Sequence, residues 1–244
     1  MITISAPAKL TLSLRITGRR DDGYHLIDAE MVSLDLHDTL EIGGGDSLEI
    51  LGPAGFEHVG ANADNLVRTA LRLCGRTAAV RLVKRIPAGA GLGGGSADAA
   101  AVLRWARYDD VAGAATIGAD VAFCLRGGRA RVAGIGEIIE PLPFEPRTYT
   151  LLTPPFGCAT PAVYAAWDRL GGPRGDHGND LEPAALVVAP ELERWRDQLA
   201  DATGLRPRLA GSGSTWFVEG EFPGPGRVVA NTIDVQDLRP QSAE

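Results

Sequence analysis

Between Pro87 and Ala100 the chain reads PAGAGLGGGSADAA, five glycines within seven positions followed by a serine and a run of alanines. A β-rich run, Ala79 to Ile86, precedes it. A helical pattern with an alanine and leucine face follows, from Ser96 to about Tyr108. Gly89, Gly91, Gly93, Gly94 and Gly95 carry no Cβ, so backbone N–H groups of this loop can close on a phosphate. Ser96 is in position to cap the helix, whose positive N-terminal end would face the same anion. Asp98 falls in the first turn, where a carboxylate complements the helix dipole. The stretch is read as a phosphate cradle. GxxxxGK[ST] is absent, which excludes a Walker A loop. Gly89, Gly91 and Gly94 satisfy GxGxxG, but Pro87 interrupts the step from strand to loop and nothing upstream reads as a doubly wound start.

Working outward, Ile2 to Ile16 and Met31 to Ile42 are β-rich, with turn residues around Gly18 to Gly23 between them. Ser47 to Leu51 is a short strand, and Asn65 to Cys74 has helical spacing through Leu66, Ala70 and Leu73. Downstream, Phe123 to Pro141 reads as a hairpin turning at Gly127 and Gly128. The proline-rich stretch from Pro141 to Pro146 divides the chain into a first domain, residues 1–143, and a second, residues 144–244. In the second, Thr148 to Leu152 is a strand and Pro161 to Leu170 a helix with proline in its first turn. Pro190 to Thr203 is a helix, Leu209 to Val218 a strand-containing loop, Arg227 to Val235 a last strand, and the tail after Arg239 is frayed. Strands and helices mix without regular βαβ alternation, which predicts an α+β fold.

The 244 residues are 45% hydrophobic and 23% charged, an ordinary globular composition. A net charge of −7 argues against general nucleic-acid binding, which needs a basic surface. No run of about 18 apolar residues occurs, so no membrane span is expected. The alternating start MITISAPAKL does not read as a signal peptide. Cys74, Cys124 and Cys158 are far apart and in no metal-binding spacing, as expected of reduced cytoplasmic thiols. Among 24 basic residues only Lys9 and Lys84 are lysines. A lysine kept against such a bias marks a place that needs a compact ammonium.

Lys84 and Arg85 followed by PxGAGLGGGSxDAA closely resemble the second motif of the GHMP kinases, named for galactokinase, homoserine kinase, mevalonate kinase and phosphomevalonate kinase. Ala6 to Leu12 (APAKLTL) resembles the family's first motif and Leu209 to Phe217 (LAGSGSTWF) its third. GRRDDGYH (Gly18–His25), DNLVRTA (Asp64–Ala70), GADVAF (Gly118–Phe123) and ATPAVY (Ala159–Tyr164) resemble the branch acting on a cytidine-diphosphate-linked methylerythritol in non-mevalonate isoprenoid synthesis.

The resemblance implies a first domain like the second domain of ribosomal protein S5 and a ferredoxin-like second domain, with ligands in the cleft between. It implies ATP as co-substrate; phosphoryl-transfer chemistry adds Mg²⁺ bridging the β- and γ-phosphates, since no carboxylate announces itself as a dedicated ligand, and a cytoplasmic monomer or weak homodimer is expected. Asp120 would be the catalytic base towards the acceptor's C2 hydroxyl, with Lys9 beside it. ATP would meet Asn65 and Lys84 at its adenine end and Pro87, Gly89, Gly91, Leu92, Gly93, Gly94, Gly95 and Ser96 at its phosphates. Tyr24 would stack on cytosine and His25 read its edge. Thr160, Pro161 and Tyr164 would close that pocket, and Thr11, Gly211, Ser212 and Gly213 would border the acceptor.

Taken alone, Asp120 reads as a cap, Lys9 as a strand-edge lysine and Gly23-Tyr24-His25 as a hairpin tip. His37, His58 and His177 read as surface residues, and Trp105, Trp167 and Trp195 as helix packing. Three departures stand out. Thr11 replaces the family's usual asparagine, Ala122 replaces the proline of GADVPF, and Asp120 follows Ser96 by only 24 positions. Two alternatives stay open: another GHMP kinase with a different substrate, against which Tyr24, His25 and TPxxY speak, and a nucleotide-binding relative made inactive by that short link.

Overall fold

The apolar alternation at the start of the chain continues as one strand, β1 (Ile2–Arg19), antiparallel to β2 (His25–Gly43). Both run past the spans expected for them. The structure is a computed structural model that describes residues 1–53 and 60–238, so His58 and the tail after Arg239 lie outside the described residues. Along β1, Ala6, Ala8, Leu10, Leu12 and Leu14 turn to the core, while Lys9 and Thr11 share the opposite face. A register shift between Pro7 and Lys9 relieves the ladder where proline has no N–H to give.

β2 carries β1 along one edge. On its other edge β4 (Ala79–Val83) pairs with Thr39–Gly43 and β5 (Arg129–Gly134) with Ile27–Val32. β3 (Ser47–Leu51) lies parallel to β4, and β6 (Ile138–Pro141) pairs with β5, completing a six-stranded sheet. Helices α1 (Leu66–Leu73), α2 (Gly94–Trp105), α3 (Val111–Ala115) and α4 (Ala119–Arg126) accompany this sheet. α2 is buried from Ala97 to Leu103, so its small side chains suit a helix enclosed on all sides.

The hairpin expected to turn at Gly127 and Gly128 turns instead between Gly134 and Ile138. Gly127 and Gly128, both at positive φ, end α4 and lead into β5. A Cβ on Gly127 would strike the Leu238 side chain, so helix end and glycine go together. The short apolar run before them fits helix or strand equally by periodicity.

The second sheet is antiparallel, in the order β10-β7-β9-β8. Its strands are β7 (Thr148–Leu152), β8 (Arg208–Leu209), β9 (Trp216–Glu219) and β10 (Arg227–Asn231). α5 (Thr160–Arg169), α6 (Glu182–Val188) and α7 (Leu192–Thr203) pack with it. α6 is an element that the periodicity did not announce. Trp216, Tyr149 and Phe217 are fully buried here, the last two edge-on at 5.8 Å. The fold is α+β, with the helices segregated from two antiparallel-dominated sheets.

Candidate active site

The glycine loop is anchored from behind. Leu92 C=O accepts from Lys9 N–H (3.0 Å), Ala90 C=O from Thr215 N–H (3.1 Å) and Gly89 C=O from Cys158 N–H (3.3 Å). None of the N–H groups from Gly89 to Ser96 donates to a protein acceptor among the described residues. Carbonyls tied back and amides left open is the arrangement that receives an anion.

Gly93, at φ +68°, is the residue that caps α2; no side chain caps it, and Ser96 lies inside the helix. The expected serine cap is corrected for a steric reason. Lys9 lies along Gly93, where a Cβ would come within 2.7 Å of its Cγ. With no side-chain cap, the first amides of α2 stay available.

Asp98 does not sit at the helix end as a dipole partner. It is 3% exposed and turns inward, its Oδ2 accepting from Lys84 Nζ at 2.7 Å. Lys84 also donates to Asp38 Oδ2 (2.5 Å), and Asp38 Oδ1 accepts the N–H groups of Arg85 (2.5 Å) and Ile86 (2.8 Å). Burial pulls the Lys84 ammonium down, but the charges of Asp98 and Asp38 outweigh it and hold its pKa above the usual lysine value. Burial pushes Asp98 up to about 7 against the pull of Lys84, and the charge of Asp38 adds to the rise.

Lys84, expected at the adenine end of a nucleotide, is therefore spent beneath the loop. Asp38, which the sequence reading passed over, shares the core-facing parity of Leu40 and Ile42 on β2. A carboxylate in that register was the available signal. Asn65, expected beside it, caps α1: its Oδ1 accepts from Val67 N–H (2.9 Å) and its Nδ2 donates to Gly60 C=O (2.9 Å). Both ends of the amide are engaged locally, and the residue reaches the loop only through α1, whose Leu66 adjoins Gly95.

Above the loop, Lys9 Nζ lies 3.2 Å from Asp120 Oδ2 and donates to Thr11 Oγ1 at 3.1 Å. The ammonium side chain is 6% exposed and the carboxylate 33%, so Asp120 is the more accessible member of the pair. Asp120 sits in the first turn of α4, where the helix end favours an anion. The short link from Ser96 leaves this pair intact. Threonine at position 11 keeps one hydrogen bond to Lys9.

The second glycine loop meets the first. Gly211 and Gly213 have positive φ, and a Cβ on Gly91 would strike the carbonyl oxygen of Ala210. Gly211 also borders Lys9 and Thr11, with its would-be Cβ 3.7 Å from Lys9 Nζ. Ser212 Oγ is 2.9 Å from Thr160 Oγ1 at the start of α5, where Pro161 occupies the first turn. Asn179 Nδ2 donates to the carbonyls of Leu209 (2.9 Å) and Gly211 (2.7 Å), a tether absent from the sequence reading.

The tip of the β1–β2 hairpin forms the remaining wall. Tyr24 is 60% exposed, in the turn from Arg20 held by Gly23 at φ +92°. His25 is mostly buried. Its Nε2 is 2.8 Å from Asp168 Oδ1, and its ring lies 4.9 Å from Tyr164 and edge-on to Trp167 at 5.5 Å. Tyr164 thus packs on His25. Burial pushes its phenol up to about 12, with the charge of Asp120 adding. A hollow of about 630 Å³ between Arg104, Leu125, Phe144 and Leu238 is lined by no residue of either glycine loop.

Residues 63–128 match the N-terminal domain of the GHMP kinases. The chain is 41% identical over 233 residues to the 4-diphosphocytidyl-2-C-methyl-D-erythritol kinase of Paracoccus denitrificans (strain Pd 1222), covering 87% of this chain and 85% of that one. It is 39% identical over 251 residues to the enzyme of the same name from Paramagnetospirillum magneticum (strain ATCC 700264 / AMB-1), covering 88% and 87%. A crystal structure of 4-(cytidine 5'-diphospho)-2C-methyl-D-erythritol kinase superposes with a TM-score of 0.72 at 33% identity, over 94% of this chain and 98% of that one. A mevalonate kinase structure at 11% identity (TM-score 0.54, over 96% and 100%) shares the fold alone. No helix among the described residues is long and apolar enough to cross a membrane.

Proposed function

The chain belongs to the 4-diphosphocytidyl-2-C-methyl-D-erythritol kinases of the GHMP family, and from that premise we propose that it transfers the γ-phosphoryl group of ATP to the C2 hydroxyl of 4-diphosphocytidyl-2-C-methyl-D-erythritol. The observation that carries the reading is the Lys9–Asp120 pair, 3.2 Å apart where the two glycine loops meet. An inactive relative would have no need of it.

The open amides from Gly89 to Ser96 hold the phosphates. Asp120 accepts the proton of the attacking hydroxyl while Lys9 orients the carboxylate and faces the charge on the transferring group. The new bond joins the hydroxyl oxygen to the γ-phosphorus, the bond to the β-phosphate oxygen breaks, and ADP leaves. Phosphoryl transfer of this kind depends mainly on positioning and charge.

Among the described residues no group of three or more His, Cys, Asp or Glu could cage a metal ion. Mg²⁺ entering with ATP would supply charge neutralisation, and Asp120, beside Lys9, is the carboxylate that would help to hold it. Tyr24 stacks on the cytosine and His25 reads it. Residues 1–143 and 144–244 act as the two domains flanking the cleft, in a cytoplasmic monomer or weak homodimer.

A coupled ADP-release assay with ATP, Mg²⁺ and the cytidyl substrate tests this. Wild-type turnover is expected, and Asp120→Asn should lose roughly 10²–10⁴ of kcat with ATP affinity nearly unchanged. Near-normal turnover by the variant would remove Asp120 as the base.

A further inference from the structure

We propose that Asp168 decides which pyrimidine the site accepts by fixing the tautomer of His25; the inference rests on the cytidyl reading above. The two residues are 143 positions apart in sequence, His25 at the start of β2 and Asp168 on α5, one turn beyond Tyr164. Asp168 Oδ1 lies 2.8 Å from His25 Nε2. A carboxylate can only accept, so Nε2 carries the hydrogen, and in the neutral ring Nδ1 is left with its lone pair. Tyr164 on one face and Trp167 edge-on keep the ring from turning over.

Nδ1 has no partner among the described residues, and it is not among the buried polar atoms sealed from solvent. The free atom of the ring is therefore an acceptor with some access to solvent on a side chain only 9% exposed. Cytosine carries an amino donor at the position where uracil carries a carbonyl oxygen. An acceptor there attracts the first and repels the second. Stacking on Tyr24 cannot make that distinction, because every base has a π face.

Asp168 has a second link. Its Oδ2 lies 3.5 Å from Arg19 Nη1, and Arg19 Nε donates to Gly23 C=O at 3.2 Å, in the turn that presents Tyr24. Asp168 is a positioning residue, acting through His25 and this turn.

The test compares wild type, Asp168→Ala and Asp168→Glu by nitrogen-15 NMR of His25 and by calorimetric titration with CDP and UDP, with ATP affinity and Tm as controls. The wild type should show the Nε2-protonated ring and bind CDP roughly tenfold or more tighter than UDP, the size of one hydrogen bond gained against one repulsion. Asp168→Ala should populate both tautomers and bring the ratio towards one, and Asp168→Glu should restore both readouts. An unchanged ratio in Asp168→Ala, an equal loss for both nucleotides, or a wild type without preference would overturn the proposal. A wild type that keeps the preference for CDP yet fails to phosphorylate the cytidyl substrate would sink the assigned reaction and leave this inference supported.

Discussion

Lys9 and Lys84, the chain's two lysines, lie on opposite sides of one loop and serve it differently. Lys9 has a single carboxylate partner, the partly exposed Asp120, whereas Lys84 is sealed between two, Asp38 and Asp98. One ammonium cannot neutralise both, so the carboxylate of Asp98 is driven up to about 7, mainly by burial. The folded chain then holds this proton at pH values where the unfolded chain, near 3.8, has released it. Stability is lost as pH rises from about 4 to 7, and the loss is complete above 7. Asp98→Asn keeps an oxygen for Lys84 and cannot titrate. Melting curves should therefore show the variant gaining on the wild type between pH 4 and 8. Parallel curves would mean that Asp98 releases its proton alike in both states.

The glycine loop and the loop at Gly211–Gly213 work as one element because they touch. Gly91 has φ +79°, and a Cβ there would meet the carbonyl of Ala210 and stand 2.9 Å from that of Gly213. Gly91→Ala must part the loops and shift the open amides, and a displacement of about 1 Å near reacting groups can cost 10²-fold. We expect the KM for ATP to rise about tenfold or more and kcat to fall as well. Normal kinetics would show that the contact is slack.

Much of this was legible beforehand. The spans of β3 and β7 follow from alternation and that of α1 from the spacing of Leu66, Ala70 and Leu73. The first glycine loop carries a local pattern of its own, whereas Lys9, Asp120 and the second glycine loop stand out only through the resemblance of APAKLTL, GADVAF and LAGSGSTWF to family motifs. What failed to show is set by distant partners. Asn179 and Asp168 are ordinary loop and helix residues until the chain brings Gly211 and His25 to them. Lys84 looked free for a ligand because its partner Asp38 lies 46 positions away. The Gly127–Gly128 pair misled because a helix end and a hairpin turn use the same residue.

The two sheets are stitched together on the side of the cleft by β1 and the segment before α6. Leu14 N–H donates to Gly178 C=O (2.7 Å) and its carbonyl accepts from Asp180 N–H (2.9 Å). The buried carboxylate of Asp180 collects Ile16 N–H (3.0 Å), Gly175 N–H (3.1 Å) and Arg15 Nη1 (2.6 Å). Its neighbour Asn179 holds the second glycine loop, so the seam and the active site are one piece of backbone. Asp180→Ala strands two backbone donors, each costing roughly 1–3 kcal/mol if it stays buried and unpaired. For a chain of this size 1 kcal/mol corresponds to about 2–4 °C, so Tm should fall by roughly 4–24 °C. Asp180→Asn keeps one acceptor and should fall less. Because the loosened backbone runs into Asn179, kcat measured well below the new Tm should drop too. A lower Tm with unchanged kcat would mean that Asp180 secures the two halves without helping to set the distance between Gly211 and Lys9.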